Sequence, residues 1–294
     1  MKRPVFVGIG ELLWDLLPGG RALGGAPVNV ACHAAQLGAA ATAASAIGRD
    51  ALGRGIVERL HGMGMDTGCV QVRREWPTGT VSVALDAAGV PTFTIHKNVA
   101  WDHIRLTPEL RRRAAKADAV AFGSLAQRGA GSRATIRAVL DATKPSCIRV
   151  FDINLRQQFY SAEVVKASLK RATVLKVNDG ELPVVGELLR MRGGETALMR
   201  ALLETHGLRL VVLTKGAHGS RMMTADRDIA HPGCTAKIVD TVGAGDAFTA
   251  AVTMGLLRGR ELERIQDLAN RVAAYVCSQP GAVPVLPGEL LREG

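Results

Sequence analysis

Short apolar runs alternating with longer helical patterns constrain this chain more than any other feature. "VFVGIG", "ATAASAIG", "ADAVAFGS", "CIRVFDIN", "ATVLKVN" and "LRLVVLTKG" read as strands buried on both faces. Between them, "APVNVACHAAQLG", "SRATIRAVLDAT", "ELPVVGELLRM" and "ALMRALLETHG" carry helical periodicity. That order predicts an α/β fold, a mainly parallel central sheet with helices on both faces. Residues 78–101, "TGTVSVALDAAGVPTFTIHKNVAW", break the pattern: two alternating segments flank a glycine-containing turn, as in a hairpin. Along it Thr94, His96 and Asn98 alternate and are expected on one face. Residues 11–23 are expected to add a further strand. With no repeat or long linker, residues 1–294 are expected to form one domain with a small β-sheet lid from about 11–23 and 76–101.

Composition excludes several classes of function. No apolar run reaches the roughly 18 residues of a membrane helix, and "MKRPVFVGIG" lacks the pattern of a signal peptide. Cys32, Cys69, Cys147, Cys234 and Cys277 are dispersed without a Cys-x-x-Cys pair, as expected of reduced thiols in a cytoplasmic protein. No histidine spacing suggests zinc. A net charge of +10 invites a nucleic-acid partner, but the basic residues are spread along solvated helix faces and aromatics make up only 4%. A basic surface equally suits polyanionic phosphate substrates, so neither nucleic acid nor membrane is an expected partner.

The motifs that carry chemistry follow predicted strands, where open α/β sheets bind ligands. "GIGELL" fails as a dinucleotide fingerprint because Leu13 replaces the third glycine, and no G-x-x-x-x-G-K-[ST] loop is present. In "DTVGAGDAFTAA" a short strand, "AKIVD", precedes Gly243, Ala244, Gly245 and Asp246 on the first turn of a helix. Unpaired N–H groups and the helix dipole make that turn an anion site; a capped turn is the plainer alternative. "GGAPVNVACHAAQLG" brings Gly25 and Asn29 to a helix start, and Asp15, just after an apolar segment, can accept from hydroxyls or form a turn. In "KVNDGE", Asn178 and Glu181 have capping-box spacing or stand beside hydrated Mg²⁺. The glycines of "TKGAHGS" line phosphates or make a turn.

Taken in order from Gly8 to Pro287, these segments resemble the ribokinase-like (PfkB) carbohydrate kinase family. "GGAPVNVACHAAQLGA" and "DTVGAGDAFTAA" resemble its two signatures, and "NDGE" its Asn-x-x-Glu motif. "GELLWDLLP", "FGSLAQR" and "FDINLRQQFYS" are most similar to the fructokinase group. The resemblance implies a ribokinase-like αβα sandwich and ATP-dependent phosphorylation of a primary sugar hydroxyl, with fructose as the foremost substrate. Kinases of 2-keto-3-deoxygluconate, ribose or adenosine, and a non-catalytic sugar- or nucleotide-sensing protein, are the alternatives. It further implies that Asp246 is the general base, expected to stay ionised at the helix N-terminus. Gly243, Ala244 and Gly245 would form the anion hole. Asp15, Gly25, Asn29, Asn98 and Arg156 would bind sugar. Asn178, Thr214, Gly216, Gly219, Gly245 and Asn270 would bind ATP, and Glu181 would orient water on Mg²⁺. Asp240, Val242, Val276, Gln279 and Gly281 match the positions of a K⁺ site. Lid sheets in such kinases often pair between subunits, which leaves a homodimer through the lid open.

Overall fold

Strand β1 (Val5–Ile9) sends Phe6 into one hydrophobic cluster and Val7 into another, because successive strand side chains point to opposite faces. The computed structural model describes residues 3–17, 19–85 and 91–293. The chain continues through β2 (Leu13–Leu17), β3 (Gly20–Gly24), α1 (Ala26–Gln36), β4 (Ala40–Gly48), α2 (Ala51–Gly62) and β5 (Asp66–Arg73). Then come β6 (Gly79–Leu85), β7 (Pro91–Ile95), α3 (Pro108–Lys116), β8 (Ala119–Phe122), α4 (Ala130–Asp141) and β9 (Ile148–Asp152). Helix α5 (Ala162–Leu169), β10 (Val174–Asn178), α6 (Glu181–Leu189), α7 (Glu195–His206), β11 (Leu210–Thr214), β12 (Ser220–Met223) and β13 (Asp228–His231) follow. The chain ends in α8 (Ala244–Leu257), α9 (Leu262–Cys277) and α10 (Gly288–Glu293).

The larger sheet has the order β13-β12-β11-β10-β9-β8-β1-β4-β5, parallel from β11 to β5 with β12 and β13 antiparallel at one edge. Helices α1, α8 and α9 cover one face and contribute Val28, Phe248 and Val272 to its core; Leu110, Ile136 and Leu202 from α3, α4 and α7 cover the other. The order reverses between β1 and β8, and at such a switch point the strand ends leave a crevice. The smaller sheet has the order β3-β2-β6-β7. Residues 11–23 therefore supply two strands rather than one, and the turn of the 78–101 hairpin lies outside the described residues.

Local signals explain several boundaries. Thr107, Ser161 and Asp50 cap α3, α5 and α2 by accepting from Leu110, Val164 and Gly53 N–H. The Asp50 carboxylate also accepts from Thr78 N and Oγ, which anchors the start of β6 to α2. Helix α8 is buried at every residue from Ala247 to Gly255, as expected of a helix enclosed on all sides.

Two readings of the sequence fail. "AKIVD" is not a strand: Ile238 and Val239 are 60% and 57% exposed, and Val239 and Asp240 both donate N–H to the same Cys277 carbonyl. Strand β13 is the last of that edge, and the segment spends these N–H groups on the end of α9 instead of pairing with it. Nor do Thr94, His96 and Asn98 alternate on one strand. Strand β7 ends at Ile95, Asn98 has φ 55, and the chain has turned by then.

Candidate active site

Gly243 is the N-cap of α8, with φ 80. A Cβ there would meet the Ala282 carbonyl oxygen at 2.1 Å, so only glycine brings the loop so close. The next residues, Ala244, Gly245 and Asp246, make the first turn, whose N–H groups point out of the helix. From α1, Asn29 Nδ2 donates to Asp246 Oδ2 at 2.9 Å, joining residues 217 apart in sequence. Helix α1 starts at Gly25, φ 125, where a Cβ would lie 2.2 Å from the Glu11 carbonyl.

Beneath this turn lies a cluster of charges. Lys176 Nζ is 3.1 Å from Asp152 Oδ1, and the Thr249 hydroxyl donates to Asp152 Oδ2 at 2.8 Å. Lys176 Nζ would lie 3.0 Å from a Cβ on Gly245, so the ammonium sits directly under the anion turn. Burial pushes the half-buried Asp246, whose carboxyl is enclosed by protein, up to about 7. Asp152 and Glu11 add to the rise, while the Asn29 bond and Lys176 oppose it. A carboxyl near 7 departs from the expectation of a firmly ionised one, and desolvation is the largest cause. Burial pulls Lys176 down, yet Asp152, Glu181 and Asp246 leave it above its ordinary value. Burial likewise lifts Asp15 to about 6 against the pull of Arg156.

Glu11, which follows β1, was not singled out from the sequence. It is 3% exposed and accepts from Ala26 N–H through Oε1, while Oε2 is buried without a partner. Burial raises its pKa, with Arg156 and Arg128 opposing. Asn29 Oδ1 is also buried and unpartnered. Two orphaned acceptors therefore stand near Asp246, an arrangement that calls for hydroxyl donors from a ligand. Asp15 lies within β2, not after a strand of the larger sheet, and its Oδ2 would touch a Cβ on Gly24 at 2.6 Å.

Beyond β7 a cavity of about 710 Å³ is lined by Thr94, His96, Lys97, Gln157 and Phe159. Asn154 and Gln157, in the loop after β9, have φ 42 and 49, backbone strain of the kind that gathers at functional sites. Exposed Arg156 lies in the same loop. Arg128 makes a bidentate pair with Asp102 at 2.8 and 3.0 Å, donates to the His96 carbonyl, and lies 4.0 Å and 4.6 Å from the Trp101 and Phe159 ring centres. It ties the end of β7 to the larger sheet; only the arginine in "FGSLAQR" hinted at it. Asn98 is exposed and left-handed, at the rim.

At the ends of β10 and β11, Asn178 and Glu181 form a reciprocal box. Glu181 Oε2 accepts from Asn178 N–H at 2.9 Å, Asn178 Oδ1 accepts from Glu181 N–H at 2.8 Å, and Glu181 Oε1 accepts from Leu155 N–H. The capping geometry is therefore real. The Asp179 N–H bonds the Thr214 carbonyl, which ties this loop to the turn bearing Gly216 and Gly219. Asn270 is 6% exposed, and its Nδ2 is spent on Ser220 Oγ and the Gln266 carbonyl, so it secures that turn from α9. The Asp240 carboxylate accepts from Val242 N–H at 3.0 Å and Gly281 N–H at 3.1 Å, and Val276 O accepts from Gln279 N–H at 3.0 Å. The Asp240 carboxylate therefore ties the start of the α8 turn to the segment after α9. No cluster of three or more His, Cys, Asp or Glu able to hold a metal occurs among the described residues. All five cysteines are free, and no helix among the described residues is long and apolar enough to cross a membrane.

The model of the pfkB family of carbohydrate kinases matches residues 19–288. An uncharacterized sugar kinase of Pyrococcus horikoshii is 30% identical over 267 residues, 88% of this chain and 82% of its own. Its crystal structure with ATP superposes with a TM-score of 0.81, covering 98% of this chain and 99% of that one. The fructokinase of Escherichia coli is 30% identical over 311 residues, 98% of this chain and 97% of its own. The fructokinase of Vibrio cholerae O395, solved with fructose, ADP and calcium, is 25% identical with a TM-score of 0.81 over 98% of this chain and 97% of that one.

Proposed function

The chain belongs to the pfkB family of carbohydrate kinases, and from that premise we propose that it transfers the γ-phosphate of ATP to the 6-hydroxyl of fructose. The observation that carries the reading is the Asn29–Asp246 pair at the first turn of α8, with orphaned Glu11 Oε2 and Asn29 Oδ1 beside it. A carboxyl poised near pH 7 suits a general base for an alcohol. Asp246 takes the hydroxyl proton, and the N–H groups of Gly243, Ala244 and Gly245 meet charge on the transferring group. Glu11, Asn29 and Asp15 accept from the sugar hydroxyls, and Gly25 lets the backbone approach. Arg156 and Asn98 close the open side, with the smaller sheet as lid.

ATP lies along the ends of β10 and β11, against Asn178, Thr214, Gly216 and Gly219. Magnesium, when bound, neutralises phosphate charge; Glu181, with each oxygen already on a backbone N–H, orients its water rather than ligating it. Potassium would sit by Asp240 with the carbonyls around Val242, Val276, Gln279 and Gly281, tightening the loop behind the anion hole.

Two experiments test the reading. In a coupled assay over fructose, ribose, 2-keto-3-deoxygluconate, glucose and adenosine, fructose is expected to give the highest kcat/KM. Another sugar ahead by about tenfold, one well-placed polar contact, would overturn the choice of fructose; no phosphorylated product from any would favour a sensing protein. Potassium is expected to activate over tetramethylammonium at equal ionic strength, with half or more of the gain lost in Asp240→Asn. Equal rates in both salts would remove the cation site.

A further inference from the structure

We propose that His33 is a positioning residue for the anion-binding turn: from α1 it holds the Ala282 carbonyl against Gly243 and so fixes where the first N–H groups of α8 point. His33 is fully buried, and its Nε2 lies 2.9 Å from the Ala282 oxygen. A carbonyl only accepts, so Nε2 carries the proton and the neutral ring donates. Nδ1 is buried with no partner, so the ring is kept at the cost of an unsatisfied nitrogen. A core position filled only for volume would carry an aliphatic side chain.

Ala282 is the residue whose oxygen and Cα would stand 2.1 and 2.6 Å from a Cβ on Gly243. Its peptide therefore forms the wall behind the anion turn. The same short segment is held at two further points. One turn along α1, Gln36 donates to the Pro284 carbonyl at 3.0 Å and accepts from Leu286 N–H at 2.8 Å; Gly281 N–H reaches Asp240. Asn29, one turn before His33 on the same face of α1, holds Asp246. One helix thus sets both the carboxylate and the wall behind the turn, and α1 and α8 are in direct contact. Displacement of this kind is costly because reacting groups misplaced by about 1 Å lose on the order of 100-fold in rate.

The rate part of the test rests on the phosphoryl-transfer reading, but amide hydrogen exchange does not. His33→Phe keeps a ring without a donor, and His33→Gln restores an amide donor. In the full-length protein, His33→Phe is expected to speed exchange at residues 243–247 and lower kcat by about tenfold or more, with KM for sugar within about twofold. His33→Gln is expected to recover most of both. Wild-type exchange at 243–247 in His33→Phe would overturn the proposal. So would faster exchange spread equally over β10 and β11, or Gln failing to rescue. If His33→Phe does not fold, Gln36→Ala, at a half-buried position, is expected to speed exchange at the same residues, and unchanged exchange there overturns the proposal. If the wild type phosphorylates no sugar, the functional reading fails, and exchange alone decides this one.

Discussion

Asp246→Asn is expected to lose about 10²- to 10⁴-fold of kcat, the worth of a positioned base, and to become more stable at the same time. The two effects share a cause. Burial and the nearby Asp152 lift the Asp246 carboxyl from 3.8 to about 7. The folded protein therefore holds that proton more tightly than the unfolded chain does. Ionising Asp246 costs stability, a cost absent below the unfolded pKa and growing until pH passes the folded value. Asparagine keeps the Asn29 bond and never ionises. At pH 8 it should gain about 1–3 kcal/mol, or several degrees in Tm; below about pH 3, under the unfolded value, the gain should vanish. In the wild type, kcat/KM should fall with unit slope below about pH 7, as the base is protonated. A variant retaining a tenth of wild-type kcat would show that another group takes the proton. Equal Tm at pH 8 would show that the carboxyl is better solvated than its surroundings imply.

Gly243→Ala is expected to damage both the site and the fold. The residue has φ 80, and its new Cβ would press on the backbone of Ala282, which has no rotamer with which to yield. Either the α8 turn or the 281–286 segment must move, and with it the N–H groups proposed to meet the phosphoryl charge. Loss of such donors costs about 10²–10³ in kcat. Gly259→Ala is the control: it has φ 64 with nothing within 4 Å of its Cβ, so it carries backbone strain without collision. It should lose on the order of 1 kcal/mol with kcat unchanged. Gly243→Ala with the kcat of Gly259→Ala would mean that the turn is not the anion hole.

The αβα architecture was legible because central parallel strands are apolar on both faces, and β1, β8 and β11 announce themselves by that alone. The antiparallel edge was not legible. "SRMM" and "DIAH" are short and mixed, and their pairing depends on β11 being there to receive them. "AKIVD" misled because β-branched residues favour a strand only when the chain pairs them with one, and here the Val239 and Asp240 N–H groups go to the Cys277 carbonyl at the end of α9. At the site, the turn Gly243–Asp246 and the spacing of Asn178 and Glu181 could be read locally, since helix termini depend on a few neighbouring residues. Glu11, Asp152, Lys176, Arg128 and His33 could not. Their partners come from distant segments, and what distinguishes them is burial together with the partner each found or lacked. Helix starts and strand runs follow from periodicity and capping along the chain. The protonation of Asp246 follows from desolvation, from charges on three separate segments and from the Asn29 amide, and only the packing of α1 and α8 over the sheet brings those together.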